Sequence, residues 1–469
     1  MNRLMIALTG VGMAYLAGSP RGREAETKRI LFTVCTALSL LAPHGGFSAQ
    51  SALRMDRSKL QIGTYCLASY ARDEAHVKAV KDCGIDFIYG IPATDRRTLD
   101  LCEKHGLGVI ATGAVPFWHG MHGEQAGQMK VLRPLAGYET AMAAYVDHPA
   151  VWMLDYVDEP SALDFPWIAE VTKLMLAKSP KGVVPYINLY PNYASVVGNT
   201  KQQTVSQLGT KTYAEHVAAY MKNIPLDYVC FDFYLYSARG EKARKEKLVQ
   251  FHENFRDLAD ACRATGKSLW YIPQVNSSYA ELWLSENMLR FQANLALAYG
   301  AELIEWACWS REASGATADM PGLTGWWTNN VLTPTGEVTQ QYAKLRTVNA
   351  ELQRLGARYM KYRNVMTRRT EKEAFVVGDM IARDGSGKCA LFVLAAADPF
   401  DEHPSKQRFV FQAAAAKAFG GNGELPLEKV GEGRFAVTLD ANAGALIEFT
   451  PTRESKWGLN RGLSCTKKD

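Results

Sequence analysis

From Leu60 to Ser310 the chain repeats one pattern eight times: a short apolar run, a Gly, Pro or polar turn, then an amphipathic stretch of helical period. The runs are LQIGTYCL (60–67), DFIYGIP (86–92), LGVIATG (107–113), the segment 150–160, VVPYINLYP (183–191), DYVCFDFYLY (227–236), SLWYIPQVN (268–276) and ELIEWACWS (302–310). Helical stretches at 73–83, 95–105, 137–147, 165–179, 213–223, 242–265 and 285–299 separate them. Strict alternation demands parallel strands, because a parallel neighbour needs a crossover and a helix supplies it. Eight such units in about 250 residues predict a closed (β/α)8 TIM barrel of the α/β class. An open doubly wound sheet is the rival, but no GxGxxG follows the first run.

The barrel is assigned to residues 55–355, with a last helix at about 336–355 packed against it. Beyond it the texture changes: AFVVGDMIARDG, KCALFVLAAAD, RFVFQ and GRFAVTLDANAGALIEFTP alternate apolar and polar residues between Gly- and Asp-rich turns. That pattern predicts a smaller C-terminal antiparallel β-sandwich over 360–451, joined by an exposed linker near 355–372. The basic tail 452–469 is expected to be disordered. At the other end, KRILFTVCTALSLLAPHGGFSA (28–49) has two basic residues, an apolar run too short to cross a membrane, and small residues. It reads as a signal peptide behind an N-terminal extension, residues 1–50 in all, with cleavage expected between Gly46 and Ala52. The mature chain is therefore expected to be exported, periplasmic or extracellular, with no stable membrane insertion. A net charge of +5 over 469 residues leaves no nucleic-acid surface to expect. Nine cysteines occur singly, without metal spacing, and Cys66, Cys230 and Cys308 read as small core residues.

Barrels of this kind keep their chemistry at the carboxyl ends of the strands. The fourth run, VWMLDYVDEP (151–160), ends in two adjacent carboxylates before Pro160, which cannot donate a ladder hydrogen bond and so stops the strand. Asp164 is the expected cap of the next helix. The fourth strand end thus offers Asp155, Asp158 and Glu159, and the fifth Asn188, Tyr190 and Asn192. Asp232, Tyr234 and Tyr236 come from the sixth, Gln274 and Asn276 from the seventh, and Glu305, Trp306, Trp309 and Arg311 from the eighth. Carboxylates and amides hydrogen-bond hydroxyls, and aromatic faces take the C–H side of a pyranose, so the set suits a carbohydrate substrate. Adjacent carboxylates also suit acid–base work, since the charge of Asp158 would keep Glu159 protonated. Neighbouring strand residues point to opposite faces, so both reach one pocket only if the strand end twists or bulges.

The Glu-Pro at the end of the fourth strand resembles the Asn-Glu-Pro acid/base motif of clan A glycoside hydrolases, with Asp158 in place of Asn. The runs YVDHPAVWMLDYVDEPSALDFPWIAEV, YINLYPNYA, YAEHVAAYM and LRFQANLALAYGAELIEWACW are similar to bacterial barrel proteins described as family 42-like glycoside hydrolases, over about 60–355. The resemblance implies a glycosidase with Glu159 as general acid/base. It also implies a Glu nucleophile on the seventh strand, where this chain has YIPQVN and no acid.

The second catalytic group therefore stays open between Glu305, which is either functional or buried and paired, and Asp232, which either acts or positions Tyr234 or Arg311. A third reading is substrate assistance, because adjacent Asp-Glu pairs also mark N-acetylhexosaminidases, in which the Asp orients the acetamide. A non-catalytic carbohydrate-binding barrel is the remaining alternative. His119 and His122 form an HxxH without a third ligand, and no cofactor motif occurs, so neither metal nor cofactor is expected. His148 reads as a turn residue, and Trp326 with Trp327 as a sugar platform or as packing.

Overall fold

The computed structural model describes residues 53–120, 125–196, 207–311, 328–370, 374–401 and 404–452. The signal-like segment, His122, Trp326, Trp327 and the basic tail lie outside them. Eight parallel strands form the predicted barrel: β1 (Gln61–Tyr65), β2 (Phe87–Pro92), β3 (Gly108–Thr112), β4 (Val151–Asp158), β5 (Val184–Leu189), β6 (Tyr228–Asp232), β7 (Ser268–Ile272) and β8 (Ala301–Trp306). Their order is β3-β2-β1-β8-β7-β6-β5-β4, and the β3–β4 pairing closes the ring. After them in turn come α1 (Glu74–Asp82), α2 (Arg96–Lys104), α3 (Leu135–Ala144), α4 (Phe165–Lys178), α5 (Tyr213–Asn223), α6 (Glu241–Thr265), α7 (Glu286–Ala298) and α8 (Gln340–Tyr359).

Local chemistry sets where the helices begin. The side chains of Asp73, Asp95 and Ser285 each accept from a backbone N–H three residues on, and Thr212 with Glu215 forms a full capping box. Asp164 stands at the start of α4 as expected but does not cap it. Its carboxylate instead accepts from the N–H groups of Gly127 and Met129, both at 3.0 Å, and so ties down the segment that follows β3. That segment also contributes a two-residue strand, Trp118–His119, which pairs in parallel with the mouth end of β4, opposite Val157 and Asp158.

The C-terminal part is built from β9 (Tyr362–Arg369), β10 (Phe375–Ala382), β11 (Cys389–Ala395), β12 (Gln407–Gln412), β13 (Ala415–Gly420), β14 (Gly423–Leu425), β15 (Glu428–Gly431), β16 (Arg434–Leu439) and β17 (Gly444–Thr450). A six-stranded antiparallel sheet, β9-β10-β11-β17-β13-β14, packs on a three-stranded one, β12-β16-β15. Val377, Val393 and Ile447 face inward against Phe409, Phe411 and Val437. Their strand neighbours Val376, Leu394 and Leu446 face the other way and join the core of the barrel. This double coverage is why β11 reads CALFVLA, apolar at every position, where a half-exposed strand would alternate.

In place of an exposed linker, only Met360 and Lys361 stand between α8 and β9. The buried Tyr359 hydroxyl donates to the carbonyls of Leu297 and Ala301, and its ring meets Phe392 edge-on at 5.5 Å. Asn364 and Thr367 on β9 both donate to the Ala298 carbonyl that ends α7, at 3.1 and 2.9 Å. Barrel and sandwich thus share apolar contacts and hydrogen bonds along one seam. Phe392→Ala, at a fully buried position on that seam, should cost about 3–5 kcal/mol of unfolding free energy in a denaturant titration.

Candidate active site

The backbone of β4 decides what reaches the barrel mouth. Its register against β5 slips between Asp155 and Val157. Glu159 then adopts φ +47°, in the left-handed region that non-glycine residues enter at a cost of about 1–2 kcal/mol. Two contacts hold that turn. The Glu159 N–H donates to the Asn188 carbonyl at 2.9 Å, and the Gly120 N–H donates to the Asp158 carbonyl at 2.9 Å. Gly120 must be glycine, because a Cβ there would lie 1.7 Å from the Glu159 carbonyl oxygen. The turn breaks the strand's alternation and leaves the Glu159 carboxyl close enough to Asp158 to feel its charge.

Asn188 links two of the acids. Its Nδ2 donates to Asp158 Oδ1 at 3.0 Å and, more weakly, to Asp232 Oδ1 at 3.5 Å. The second oxygen of Asp158 lies 3.3 Å from His119 Nε2, which the short strand Trp118–His119 delivers. Asp232 is 4% exposed. Burial first and the charge of Asp158 second push it up to about 7, against hydrogen bonds from Tyr234 and Asn188 that pull it down. Glu159 is raised well above the usual carboxylate range, chiefly by burial, then by Asp232 and Asp158. Like charges packed this closely oppose one another's ionisation, and both Glu159 and Asp232 are held above the ordinary carboxylate range.

A second layer of acids lies deeper in the barrel. Asp155 Oδ2 accepts from Tyr89 at 2.7 Å and Glu305 Oε2 accepts from Tyr186 at 2.8 Å. The other oxygen of each is buried without a partner among the described residues. Tyr89 is held in turn by stacking on Tyr65, with ring centroids 4.5 Å apart. Glu305 is 0% exposed. Burial, and to a lesser degree Asp158, push it up to about 8 in spite of Tyr186. Glu305 is thus buried against Tyr186, and the acids whose charges raise Glu159 are Asp232 and Asp158.

Other expected residues are placed differently. Trp306, next to Glu305, alternates outward and donates from Nε1 to Asn349 on α8 at 2.8 Å. Trp309 is buried edge-on against Tyr342. Neither tryptophan offers a face to a sugar. Tyr236 is also core, its hydroxyl donating to Met288 and its ring packed on Phe400. Gln274 spends its amide internally, accepting from the Tyr236 N–H at 2.6 Å and donating to the Asn276 carbonyl at 3.2 Å. The end of β7 thus brings no acid. Tyr190 is buried beside Glu159 and Asp158, with its hydroxyl donating to the Gly120 carbonyl. Tyr234 and Arg311 are partly exposed.

Two residues at the rim have no place in the sequence inventory. Tyr193 is 38% exposed, and its hydroxyl lies in the fields of Asp232 and Glu159. The Lys247 ammonium sits over its ring at 3.5 Å and over Phe233 at 4.8 Å, and burial pushes that lysine down to about 8. The only available signal was the repeated tyrosine in YPNY; the lysine comes from α6, and only the closed barrel brings it near.

Among the described residues, the one group of three potential metal ligands is Asp100, Glu103 and His148. It is not at the mouth acids. His148 Nδ1 accepts from the Ala150 N–H at 3.1 Å, which leaves Nε2 to donate to Asp100 at 3.0 Å. That is the pairing of a turn-holding histidine.

No protein-family model matches the chain, and no curated protein sequence matches it. Solved structures do. A β-glucuronidase from Ruminococcus gnavus has a TM-score of 0.43 at 10% identity, over 63% of this chain and 52% of the glucuronidase, so the match spans about half of that protein. A Bacteroides fragilis protein assigned as an α-galactosidase has 0.45 at 10%, over 84% of this chain and 80% of its own. A broad-specificity endoglucanase from Bacteroides salanitronis has 0.41 at 11%, over 67% and 99%. Likenesses of this size leave the function to be argued from this chain's own residues.

The buried Glu305 has a consequence for stability. Its folded pKa of about 8 exceeds the unfolded value of about 4.3, so the folded state binds the extra proton between those pH values. Stability should therefore fall as pH rises through that window, by up to about 1.4 kcal/mol per pH unit from this group. Glu305→Gln keeps an acceptor for Tyr186 and has nothing to ionise. Denaturant titrations at several pH values between 5 and 8 should show the variant gaining on the wild type steadily with pH.

Proposed function

We propose that the chain is a glycoside hydrolase in which Glu159 protonates the departing oxygen and Asp232 is the second carboxylate. One observation carries the reading: Asn188 links Asp158 to Asp232 at the strand ends, next to a Glu159 carboxyl raised above the usual range by burial and by both acids, with Asp232 pushed up to about 7. Glycoside cleavage needs that division of labour, an acid at the leaving group and an anion for the oxocarbenium-like centre or its attacking water. Asp158 is fixed by Asn188 and faces His119; its part is to hold up the Glu159 pKa. Tyr193, partly exposed at the rim, supplies an aromatic contact for the sugar.

The same reading takes the chain to be exported, on the strength of the apolar run within 28–49. A second mechanism, substrate assistance, draws support from Asp158 alone: an Asp adjacent to the acid and anchored on both oxygens is placed to orient an acetamide.

Aryl glycosides of N-acetylated and plain sugars, tested side by side, separate these. Glu159→Gln should lose about 10²–10⁴-fold on a poor leaving group and far less on dinitrophenyl glycosides, whose leaving oxygen needs no proton. Asp232→Asn should lose activity on both. The wild-type kcat/KM should rise through about pH 7 as Asp232 ionises and fall at higher pH as Glu159 gives up its proton. Turnover confined to N-acetylated sugars, dead in Asp158→Asn and intact in Asp232→Asn, would replace this mechanism with substrate assistance. Sugar binding without any turnover would leave a binding barrel.

A further inference from the structure

Two thiols with no part in that chemistry lie side by side at the same end of the barrel. Cys66 directly follows β1 and Cys308 lies two residues beyond β8. The ladder between those strands runs on past both ends: the Trp309 N–H donates to the Tyr65 carbonyl at 3.0 Å, and the Ser310 N–H to the Cys66 carbonyl at 3.2 Å. Both bonds come from the residues just after Cys308, and the Thr64–Trp306 pairing lies two residues before each cysteine, so the two strand exits run side by side there. Neighbouring strands lie about 4.8 Å apart, within the Cα separation of about 4.4–6.8 Å that a disulfide spans. The two side chains interact directly, and both are free thiols. Cys66 is partly exposed while Cys308 is buried, so a reagent from solvent meets Cys66 first. Both stand close to Tyr65, which also feels the charge of Asp158.

We propose that Cys66 and Cys308 form a reversible dithiol–disulfide couple that ties the mouth ends of β1 and β8 together. The co-reactant is a low-molecular-weight disulfide. The Cys66 thiolate attacks one of its sulfurs and releases one small thiolate, which takes up a proton. Cys308 then gives its proton to solvent and attacks the Cys66 sulfur of the mixed disulfide, expelling the second small thiol. One small disulfide is reduced to two thiols as the protein pair is oxidised. Burial holds the Cys308 proton tightly, so closure should quicken as pH rises.

The test uses the full chain and oxidised glutathione at about pH 8.5, where a free thiol is half ionised. Remaining thiols are then alkylated and the digest is mapped without reduction. The expected product is a peptide pair linked Cys66 to Cys308, lighter by two hydrogens than the reduced peptides, together with a rise in Tm that dithiothreitol reverses. Cys66→Ser and Cys308→Ala should each abolish the linked pair and make Tm indifferent to the oxidant. Should Cys308→Ala fail to fold, Cys66→Ser, at the partly exposed position, carries the test by itself. A wild-type map in which Cys66 keeps only glutathione, or links to Cys35, Cys465 or any other cysteine, overturns the proposal.

Discussion

A strand that keeps its alternation cannot aim two consecutive carboxyls into one cavity, and the mouth of this barrel depends on how β4 escapes that rule. The slip in register after Asp155 and the left-handed backbone at Glu159 turn the chain just before Pro160. The strain is met from outside the strand. Gly120, reached by the short strand Trp118–His119, lays its backbone on the turn where any side chain would collide. Asn188 supplies both a carbonyl for the Glu159 N–H and an amide for Asp158 and Asp232. Two segments distant from it in sequence thus over-determine one strained residue, which is how such backbones persist at functional positions.

The acids are ordered by depth. Two unit charges about 5 Å apart at an effective dielectric of about 20 repel by about 3 kcal/mol, or about two pKa units. Burial adds to that repulsion at Glu159 and Asp232, and at Asp155 and Glu305 below them. Tyr89 and Tyr186 satisfy one oxygen of each deep acid and offset only part of the cost. The field of the floor therefore works on the mouth: every negative charge kept out of the lower layer makes ionisation easier in the upper one.

The sandwich is part of the same structural unit as the barrel. β10 and β11 are covered on one side by the small sheet and on the other by α7 and α8, so the outer wall of the barrel near β8 is backed by a second core. The strand that carries Glu305 inward and Trp306 outward is anchored through Asn349 of α8, and α8 leads within two residues into β9.

The barrel was legible in the sequence because its determinants are local and repeated: each apolar run needs only its own composition, and each helix its own cap, to declare itself. Asp158 and Glu159 were legible as a pair for the same reason, since Pro160 ends the strand beside them. Which other residues join them was not. Strand parity did not settle whether Glu305 points inward, and nothing along the chain gives the depth at which an acid is buried. Trp306, Trp309, Tyr236 and Gln274 have the composition of a sugar site, yet their partners on α7, on α8 and in the loops claim them for packing. Asp164 shows the same limit in a single residue, a helix cap by sequence whose carboxylate was taken by a loop 35 residues away. Tyr193 and His119 lie in segments with no periodicity of their own and Lys247 in the charged start of α6, and only closure of the ring brings them to the acids. Sequence determined the elements and the first pair of carboxyls, because these rest on neighbours along the chain. Tertiary structure decided depth, protonation and membership of the site, because burial and Coulomb energy depend on distances through space.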